Sequence, residues 1–271
     1  MAIGSQGGFF RRYGPWAIVT GASSGIGEAM AHALAARGLS LVLVARRRDR
    51  LETLAEQLTR AHRIETSILE ADLADPTVPN RIEEATRDFR IGLVVANAGF
   101  GHKGAFADAP REELSRMVDV NCRSTMALAH VFAPRLITRG SGGLVITSST
   151  AAFQGIPYTA VYAATKAFDL ALAEALAHEL APHGVDVVAL CPGATDTEGP
   201  RRTGVDPQKT PFLMQPAPVA EAALLALGRR HVVVPGLSNR VGAALAQLLP
   251  RRWASASAGR LMRRTMERAK L

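Results

Sequence analysis

The stretch Trp16-Ala-Ile-Val-Thr20-Gly21-Ala-Ser-Ser-Gly25-Ile-Gly27 decides the fold. A short β-branched run leads directly into a glycine-rich turn, and a segment with helical apolar periodicity follows. Glycines permit a tight turn and let backbone N–H groups approach a pyrophosphate, while the following helix N-terminus supplies positive potential. A G-x-x-x-G-x-G run can also be a plain strand-to-helix turn, so it predicts a dinucleotide site only together with its flanking strand and helix.

The rest of the chain repeats this alternation of short apolar runs and longer helical patterns. Strands are predicted at Trp16 to Thr20, Leu41 to Ala45, Ile64 to Glu70, Leu93 to Ala96, Leu144 to Ser148, Val185 to Leu190 and Val232 to Val234. Helices are predicted near residues 26 to 37, 48 to 62, 80 to 89, 111 to 138, 158 to 181 and 217 to 229. This order predicts an α/β fold with one Rossmann-type doubly wound parallel sheet of about seven strands and helices on both faces.

The same pattern predicts three parts of the chain. Residues 1–14 form an N-terminal extension, 15–236 a Rossmann-fold catalytic domain, and 237–271 a helical, arginine-rich C-terminal extension. A segment rich in Pro, Gly and Thr, at about 198–218, is predicted to be a substrate loop because long aperiodic loops usually carry function.

Apolar side chains in the loops expected to surround the substrate favour an apolar ligand. The predicted substrate contacts are Phe100, Phe153, Phe212 and Met214, with Ile156 and Leu213 beside them. The same residues could instead pack a lid on the core. Arg201 and Arg202 could bind a carboxylate, but the sequence does not indicate which way their side chains point.

Composition and charge exclude several classes of protein. Of the 271 residues, 48% are hydrophobic and 21% charged, which is typical of a globular chain. The net charge is +8, but residues 251–271 carry seven basic side chains against Glu267 and so hold six of the eight excess charges. The remainder is nearly neutral, which argues against a nucleic-acid-binding face.

The basic tail has two interpretations. Ala258, Met262, Met266 and Ala269 fall near one helical face, so the tail could contact an anionic membrane peripherally. The alternative, a solvated or subunit-bridging helix, is slightly favoured because the apolar face is thin. No apolar run is long enough to span a bilayer, and arginines occupy the place of a signal-peptide core, so we expect a cytoplasmic protein.

Cysteine and histidine spacings predict neither a metal site nor a redox site. Cys122 and Cys191 lie in apolar surroundings without C-x-x-C spacing, and His178 and His183 are five residues apart around Pro182. We therefore expect two buried thiols and no bound metal.

The end of the second predicted strand indicates the choice of dinucleotide. A carboxylate there would accept hydrogen bonds from a ribose 2′-hydroxyl and repel a 2′-phosphate. Here the strand ends at Ala45, and Arg46, Arg47 and Arg48 follow. Guanidinium groups suit a phosphate, so NADP(H) is predicted, with Arg46 as main contact, Arg47 second and Arg48 outward. The alternative is a solvated start of the next helix.

A tyrosine and a lysine four residues apart predict acid/base chemistry. Tyr162 and Lys166 share one helix face, where the ammonium would favour the phenolate and lower the tyrosine pKa. Ser149, at the end of a strand, could hold a substrate carbonyl oxygen beside the tyrosine. Either Ser148 or Ser149 could instead be a simple turn residue.

Taken in order, these motifs resemble the short-chain dehydrogenase/reductase family over roughly residues 15 to 235. The matching positions are Thr20 to Gly27, Asn97-Ala98-Gly99, Asn121, Ser149, Tyr162, Lys166, and Pro192-Gly193 with Thr197. The resemblance implies that Tyr162 is the general acid/base, Lys166 binds the nicotinamide ribose, Ser149 polarises the carbonyl and Asn121 holds a water in a proton relay. Ala96 stands where the family often has a first Asn.

The resemblance also implies the contacts of the cofactor. These are Gly21, Ser23, Ser24, Gly25, Ile26 and Gly27 at the glycine-rich turn, Arg46, Arg47, Asp72 and Leu73 at the adenosine end, Asn97, Ala98 and Gly99 beside the central sheet, and Tyr162, Lys166, Pro192, Gly193, Thr195 and Thr197 around the nicotinamide. It implies an NADPH-dependent, reversible carbonyl reductase that forms a homodimer or homotetramer. The alternative is a catalytically silent dinucleotide-binding sensor or scaffold of the same fold.

Overall fold

The computed structural model describes residues 6–199 and 212–268. Its strands are β1 (Trp16–Thr20), β2 (Ser40–Ala45), β3 (Thr66–Glu70), β4 (Ile91–Ala96), β5 (Gly142–Thr147), β6 (Val185–Leu190) and β7 (Val232–Val233). They form one sheet in the order β3-β2-β1-β4-β5-β6-β7, and every neighbouring pair is parallel. The predicted Rossmann-type fold is confirmed.

Helices connect the strands and continue to the C-terminal end of the described chain. They are α1 (Gln6–Tyr13), α2 (Gly25–Ala35), α3 (Arg48–His62), α4 (Val78–Ala85), α5 (Arg111–Val118), α6 (Ser124–Arg139), α7 (Ala160–Leu180), α8 (Pro216–Ala226), α9 (Leu237–Leu248) and α10 (Arg251–Arg268). Within the described residues, no helix is long and apolar enough to cross a membrane.

The core lies in two layers, one on each face of the sheet. Successive residues of a strand point to opposite faces, so Ala17 and Val19 of β1 join the layer under α2, α3 and α8, whereas Ile18 joins the layer under α4, α6 and α7. Because both faces are covered, most of the strands are continuously apolar, as the sequence predicted, whereas the edge strand β3 carries Thr66, Ser67 and Glu70 and is only partly buried. Because neighbouring strands are parallel, the carboxyl ends of β1, β4 and β5 lie at the same edge of the sheet. The strand order reverses between β1 and β4, and sheets of this kind bind ligands at that point.

The long helix predicted at 111 to 138 is interrupted by a π-helical turn, Asp119–Arg123. Ser124 Oγ donates a hydrogen bond to Val120 O at 2.6 Å, and Thr125 Oγ1 donates to Asn121 O at 2.7 Å. Such turns inside helices often occur at functional sites, and this one carries a predicted catalytic residue, Asn121. Hydrophobic periodicity alone does not reveal a single wide turn.

The two ends of the chain differ in how they pack. In α1, Phe9 and Tyr13 are buried in the core, and the Tyr13 hydroxyl donates a hydrogen bond to Asp186 of β6 at 2.6 Å. At the other end, α10 buries Ala254, and its face of Ala258, Met262 and Met266 is half-buried. Of the predicted substrate loop, residues 200–211, including Arg201 and Arg202, lie outside the described part of the chain.

Candidate active site and cofactor site

The glycine-rich turn after β1 has the geometry that a pyrophosphate requires. Gly21 and Gly25 have φ of +68° and +62°, which side chains rarely adopt. A Cβ atom on Gly27 would lie 2.2 Å from Gly21 O, so only glycine allows α2 to start against the turn. The N-terminal N–H groups of α2 thus lie at the turn, as an anionic ligand needs.

Arg47 lies across the glycine-rich turn, where the sequence predicts the adenosine end of the dinucleotide. Its Nη2 donates hydrogen bonds to Ser24 Oγ at 2.9 Å and Ser23 Oγ at 3.1 Å, and its Nη1 pairs with Glu198 Oε2 at 2.7 Å. Arg46 is exposed after β2, and Arg48 is exposed and paired with Glu52 at 2.7 Å. Glu198, which also pairs with Arg50, is a residue at this site that the sequence did not indicate.

Asp72 and Leu73 lie beside the end of β3. Leu73 is buried, while Asp72 Oδ1 accepts a hydrogen bond from Ala74 N at 3.1 Å and Oδ2 pairs with Arg116. Burial would raise the pKa of Asp72, but the hydrogen bonds from Arg116 and Ala74, with the charge of Arg46, hold it below its usual value. The carboxylate is therefore ionised near neutral pH, and Arg116 was not predicted from sequence.

Asn97 and Ala98 tie the loop after β4 to β1. Asn97 Nδ2 donates to Thr20 O at 3.0 Å, and the backbone N–H groups of Asn97 and Ala98 donate to Thr20 Oγ1 at 3.0 and 3.2 Å. A Cβ on Gly99 would lie 3.1 Å from Asn121 Oδ1 and 3.3 Å from Lys166 Nζ. Gly99 therefore brings this loop against two of the predicted catalytic residues.

Asn121 joins three elements around the site. Its Nδ2 donates to Phe100 O at 3.0 Å and to Thr165 Oγ1 of α7 at 2.9 Å, while its Oδ1 accepts from Phe100 N at 3.1 Å. Since the side chain is fully buried and bonded at both ends, it fixes the loop after β4 relative to α7. The partner Thr165 was not predicted from sequence.

The two serines after β5 have different surroundings. Ser148 Oγ donates a hydrogen bond to the backbone oxygen of Lys166 at 2.7 Å, so this hydroxyl holds α7 against the end of β5. Ser149 Oγ accepts from Ala151 N at 3.1 Å and donates to Pro192 O at 3.4 Å, a long and weak bond. Of the two hydroxyls, that of Ser149 is the one available to a substrate oxygen.

Lys166 is a buried cation held by two acceptors. Its Nζ donates to Thr147 O at 2.8 Å and to Asp169 Oδ2 at 2.9 Å. Burial alone would lower the pKa of Lys166, but the charges of Asp169 and Tyr162 outweigh burial and hold it above its usual value. Tyr162, one turn earlier on α7, is half-buried with its ring against Gly101, where a Cβ would lie 3.1 Å from Tyr162 Cδ2.

The strand-end loop after β6 faces the glycine-rich turn. The side chain of Thr197 lies against Gly25, where a Cβ would be 2.8 Å from its methyl carbon, and Thr195 Oγ1 donates to Gly193 O at 3.0 Å. Pro192 O receives the backbone N–H of Thr150 at 2.9 Å. These contacts, with the turn glycines and the Lys166 ammonium, form a cradle that fits a nicotinamide dinucleotide.

A shallow cleft lies beside Tyr162. Its lining includes His102, Phe106, Leu114, Met117 and Tyr158. Of the predicted substrate residues, Phe100 and Phe153 pack partly against the core, Met214 bridges to Thr195, and Phe212 is exposed. Tyr158, which the sequence analysis missed, also accepts a hydrogen bond from Arg263 of α10 at 3.2 Å.

The two cysteines, Cys122 and Cys191, are both free thiols. Cys191 is buried and Cys122 half-buried, neither forms a disulfide, and burial raises their thiol pKa values to about 12 and about 11. Among the described residues, no three His, Cys, Asp or Glu side chains cluster as metal ligands do.

A doubly wound sheet with a glycine-rich turn, a strand-end serine and a tyrosine–lysine helix defines a dinucleotide-dependent oxidoreductase. Residues 15–206 match the family model for short chain dehydrogenases. The chain belongs to this family, and it is an oxidoreductase acting on CH–OH or C=O groups.

Two known proteins and one solved structure illustrate what this chain is similar to. A 7beta-hydroxysteroid dehydrogenase of Clostridium sardiniense is 32% identical over 233 residues, which cover 86% of this chain and 89% of that protein. The human inactive hydroxysteroid dehydrogenase-like protein 1 is 32% identical over 193 residues, 70% of this chain and 58% of that protein. A solved short-chain dehydrogenase of Sphingobium yanoikuyae in complex with NADPH is 37% identical with a TM-score of 0.79, covering 85% of this chain and 91% of that one.

Proposed function

We propose that the protein is an NADPH-dependent reductase that converts the carbonyl of an apolar ketone or aldehyde, steroid-like or ketoacyl, to an alcohol. When bound, NADPH supplies a hydride to the carbonyl carbon. Tyr162 donates the proton to the carbonyl oxygen, and Ser149 donates a hydrogen bond to that oxygen. The reverse oxidation uses the same groups, with Tyr162 accepting the proton.

One observation carries this proposal: Lys166 is a buried cation one helical turn from Tyr162 on the same helix. A positive charge beside the place of proton transfer stabilises the negative charge that develops on oxygen in the transition state. The remaining N–H of Lys166 is available to the hydroxyls of the nicotinamide ribose. Asn121, buried on the π-helical turn, is proposed to hold the water that returns a proton to the relay.

The choice of NADPH rests on the adenosine end of the site. Arg46 and Arg47 follow a strand that ends in Ala45 rather than a carboxylate, and Arg47 lies on the serines of the glycine-rich turn. Guanidinium groups there would pair with a 2′-phosphate. The similar Sphingobium yanoikuyae enzyme was solved in complex with NADPH, which supports the same preference.

The apolar substrate rests on the lining of the site. Phe106, Leu114 and Met117 line the cleft beside Tyr162 with apolar side chains. The predicted substrate contacts Phe100, Phe153, Phe212 and Met214 lie outside that lining and are proposed as further apolar contacts. A relative described as a 7beta-hydroxysteroid dehydrogenase is consistent with a bulky, rigid carbonyl compound. We assign this chemistry to residues 15–236, with 1–14 and 237–271 as extensions of the catalytic domain.

The second candidate is a catalytically silent dinucleotide-binding protein, and the inactive human relative favours it. This chain, however, keeps Ser149, Tyr162 and Lys166, whereas loss of the tyrosine or lysine is the direct way to lose the reaction. The two candidates differ in one measurement. NADPH oxidation with a panel of apolar ketones supports the reductase, and NADPH binding without turnover of any compound supports the silent protein.

We further propose a homodimer or homotetramer in the cytoplasm. Exposed apolar side chains lie on the surface formed by α5, α6 and α7, namely Val118, Met126 and Phe168. A chain of ordinary composition exposes few such side chains together unless a partner covers them. A second copy packed on this surface accounts for them.

We also propose peripheral contact of the C-terminal extension with an anionic membrane, chiefly through α9. Leu237, Val241, Leu245 and Leu248 are exposed and share one face of α9, whereas the opposite face packs on the protein through Ala243. Between Glu221 and Glu267 the chain has eight arginines and no acidic residue. Exposed apolar side chains within a stretch of chain rich in arginine suit anionic lipid, whereas a symmetric contact between copies would bring like charges closer together.

A further inference from the structure

We infer that Asp169 is a positioning residue of the active site, because its carboxylate is the counter-ion that holds the Lys166 ammonium in place and charged. Asp169 lies one turn after Lys166 on α7 and is 0% exposed. Its Oδ2 accepts a hydrogen bond from Lys166 Nζ at 2.9 Å. This inference deepens the proposed reductase function and rests on it in part.

The position of Asp169 is unusual for a charged side chain. The same face of α7 buries Ala163, Leu170, Ala173 and Ala177, so an aliphatic residue would continue the pattern. Replacing a buried ion pair by apolar residues is often neutral or stabilising, so stability alone does not explain a carboxylate here. Its Oδ1 is buried and accepts no hydrogen bond from any described residue, which leaves Lys166 as its partner.

The lysine in turn depends on this carboxylate. An ammonium has three N–H donors, and Thr147 O at 2.8 Å and Asp169 Oδ2 occupy two of them. Thr147 is the last residue of β5, so these two bonds fix Nζ between the sheet and α7. One N–H remains for the ribose hydroxyls and Tyr162.

The charges near Lys166 leave Asp169 as the compensating anion. Cys122 from the π-helical turn and Cys191 from the end of β6 also interact with the lysine charge, as does Tyr162 on its own helix. Burial raises the pKa values of both thiols, so they stay neutral at physiological pH. Burial raises the pKa of Asp169 above its usual value, and the charge and hydrogen bond of Lys166 reduce that rise.

Removal of the carboxylate has a defined consequence for pH dependence. Lys166 supports NADPH binding and catalysis only as a cation. Both therefore persist at pH values below the pKa of Lys166 and are lost at pH values above it. Without Asp169, burial favours the neutral amine and lowers that pKa. The alkaline limit of the lysine's function therefore moves to lower pH, whereas a purely structural role would leave the limit in place.

The test compares Asp169→Asn, which keeps shape and removes charge, with Glu174→Gln, the same change at an exposed position of α7. NADPH affinity by fluorescence titration and kcat/KM for an apolar ketone are measured as functions of pH. We expect the alkaline limit of both to fall by about one pH unit or more in Asp169→Asn, and to stay unchanged in Glu174→Gln. An unchanged limit in the folded Asp169→Asn variant overturns the inference.

The binding titration separates this inference from the proposed function, because it needs no turnover. If no ketone is reduced but the alkaline limit of NADPH affinity still falls, the reductase proposal fails and the role of Asp169 stands. Should Asp169→Asn not fold, Lys166→Met is compared with Lys166→Met/Asp169→Leu by thermal unfolding. The double variant should unfold at the higher temperature because it removes an uncompensated buried charge, and the opposite order overturns the inference.

Discussion

Arg47 Nη2 lies 2.9 Å from Ser24 Oγ, so a guanidinium from the turn after β2 reaches the residue that precedes α2. The same group pairs with Glu198 of the loop after β6. Three strand ends are thereby joined around the place where the adenosine end of a dinucleotide would lie. Arg47 has closer contact with the glycine-rich turn than the exposed Arg46, to which the sequence analysis gave the main role.

Cofactor preference is expected to follow these arginines. The unmodified protein should favour NADPH over NADH at least tenfold in kcat/KM, or about 1.4 kcal/mol. Arg46→Ala with Arg47→Ala should remove most of the preference, since both guanidinium groups near the 2′-phosphate are lost. Arg48→Ala is the control, because Arg48 pairs with Glu52 on the outer surface. Equal kcat/KM for the two cofactors in the unmodified protein would contradict the proposed NADPH site.

Tyr162→Phe should remove the proton donor and little else. We expect turnover to fall about 100-fold or more, the range for loss of a positioned acid, with NADPH affinity nearly unchanged. The measurement is single-turnover NADPH oxidation alongside a binding titration. Tyr158→Phe is a matched control, because Tyr158 lines the same cleft but its hydroxyl accepts from Arg263. Near-normal turnover in Tyr162→Phe would rule out its catalytic role.

The surface formed by α5, α6 and α7 should carry the subunit contact. Phe168 is 41% exposed on α7, so Phe168→Asp places a charge where the second copy would exclude water. Light scattering should show a dimer or tetramer for the unmodified protein and a shift toward monomer for the variant. Leu225→Asp, an exposed apolar position on α8, should leave the mass unchanged. A monomeric unmodified protein at micromolar concentration would exclude this assembly.

The α9 surface is expected to bind anionic vesicles. The protein should sediment with them at low salt and release at high salt, because each arginine near such a surface contributes about 1 kcal/mol and salt screens it. Val241→Asp with Leu245→Asp should weaken binding by adding charge to the exposed apolar face. Neutral vesicles are the control for electrostatics. Vesicle binding that is unchanged by salt and by these substitutions would show that a surface other than α9 binds the vesicles.

The sequence by itself determined the sheet and the glycine-rich turn, and it indicated the groups that are proposed to react. Continuous apolar runs such as Leu41 to Ala45 belong to strands buried on both faces, and the glycines after β1 need conformations that other residues rarely adopt. These signals are local and fall within one strand or turn. Strand β3 nevertheless begins two residues later than predicted, at Thr66, because element boundaries depend on pairing with the neighbouring strand.

Only the tertiary structure decided which side chains meet. Thr165 joins Asn121 across a separation of 44 residues, and Arg116 joins Asp72 across the same separation. No sequence period encodes such contacts, because they arise where separate connections converge on one sheet edge. The tertiary structure also decides which face of a helix is buried and which is exposed to water. Met262 is half-buried on α10, which contacts the loop that carries Tyr158 through Arg263, whereas Leu245 of α9 is exposed.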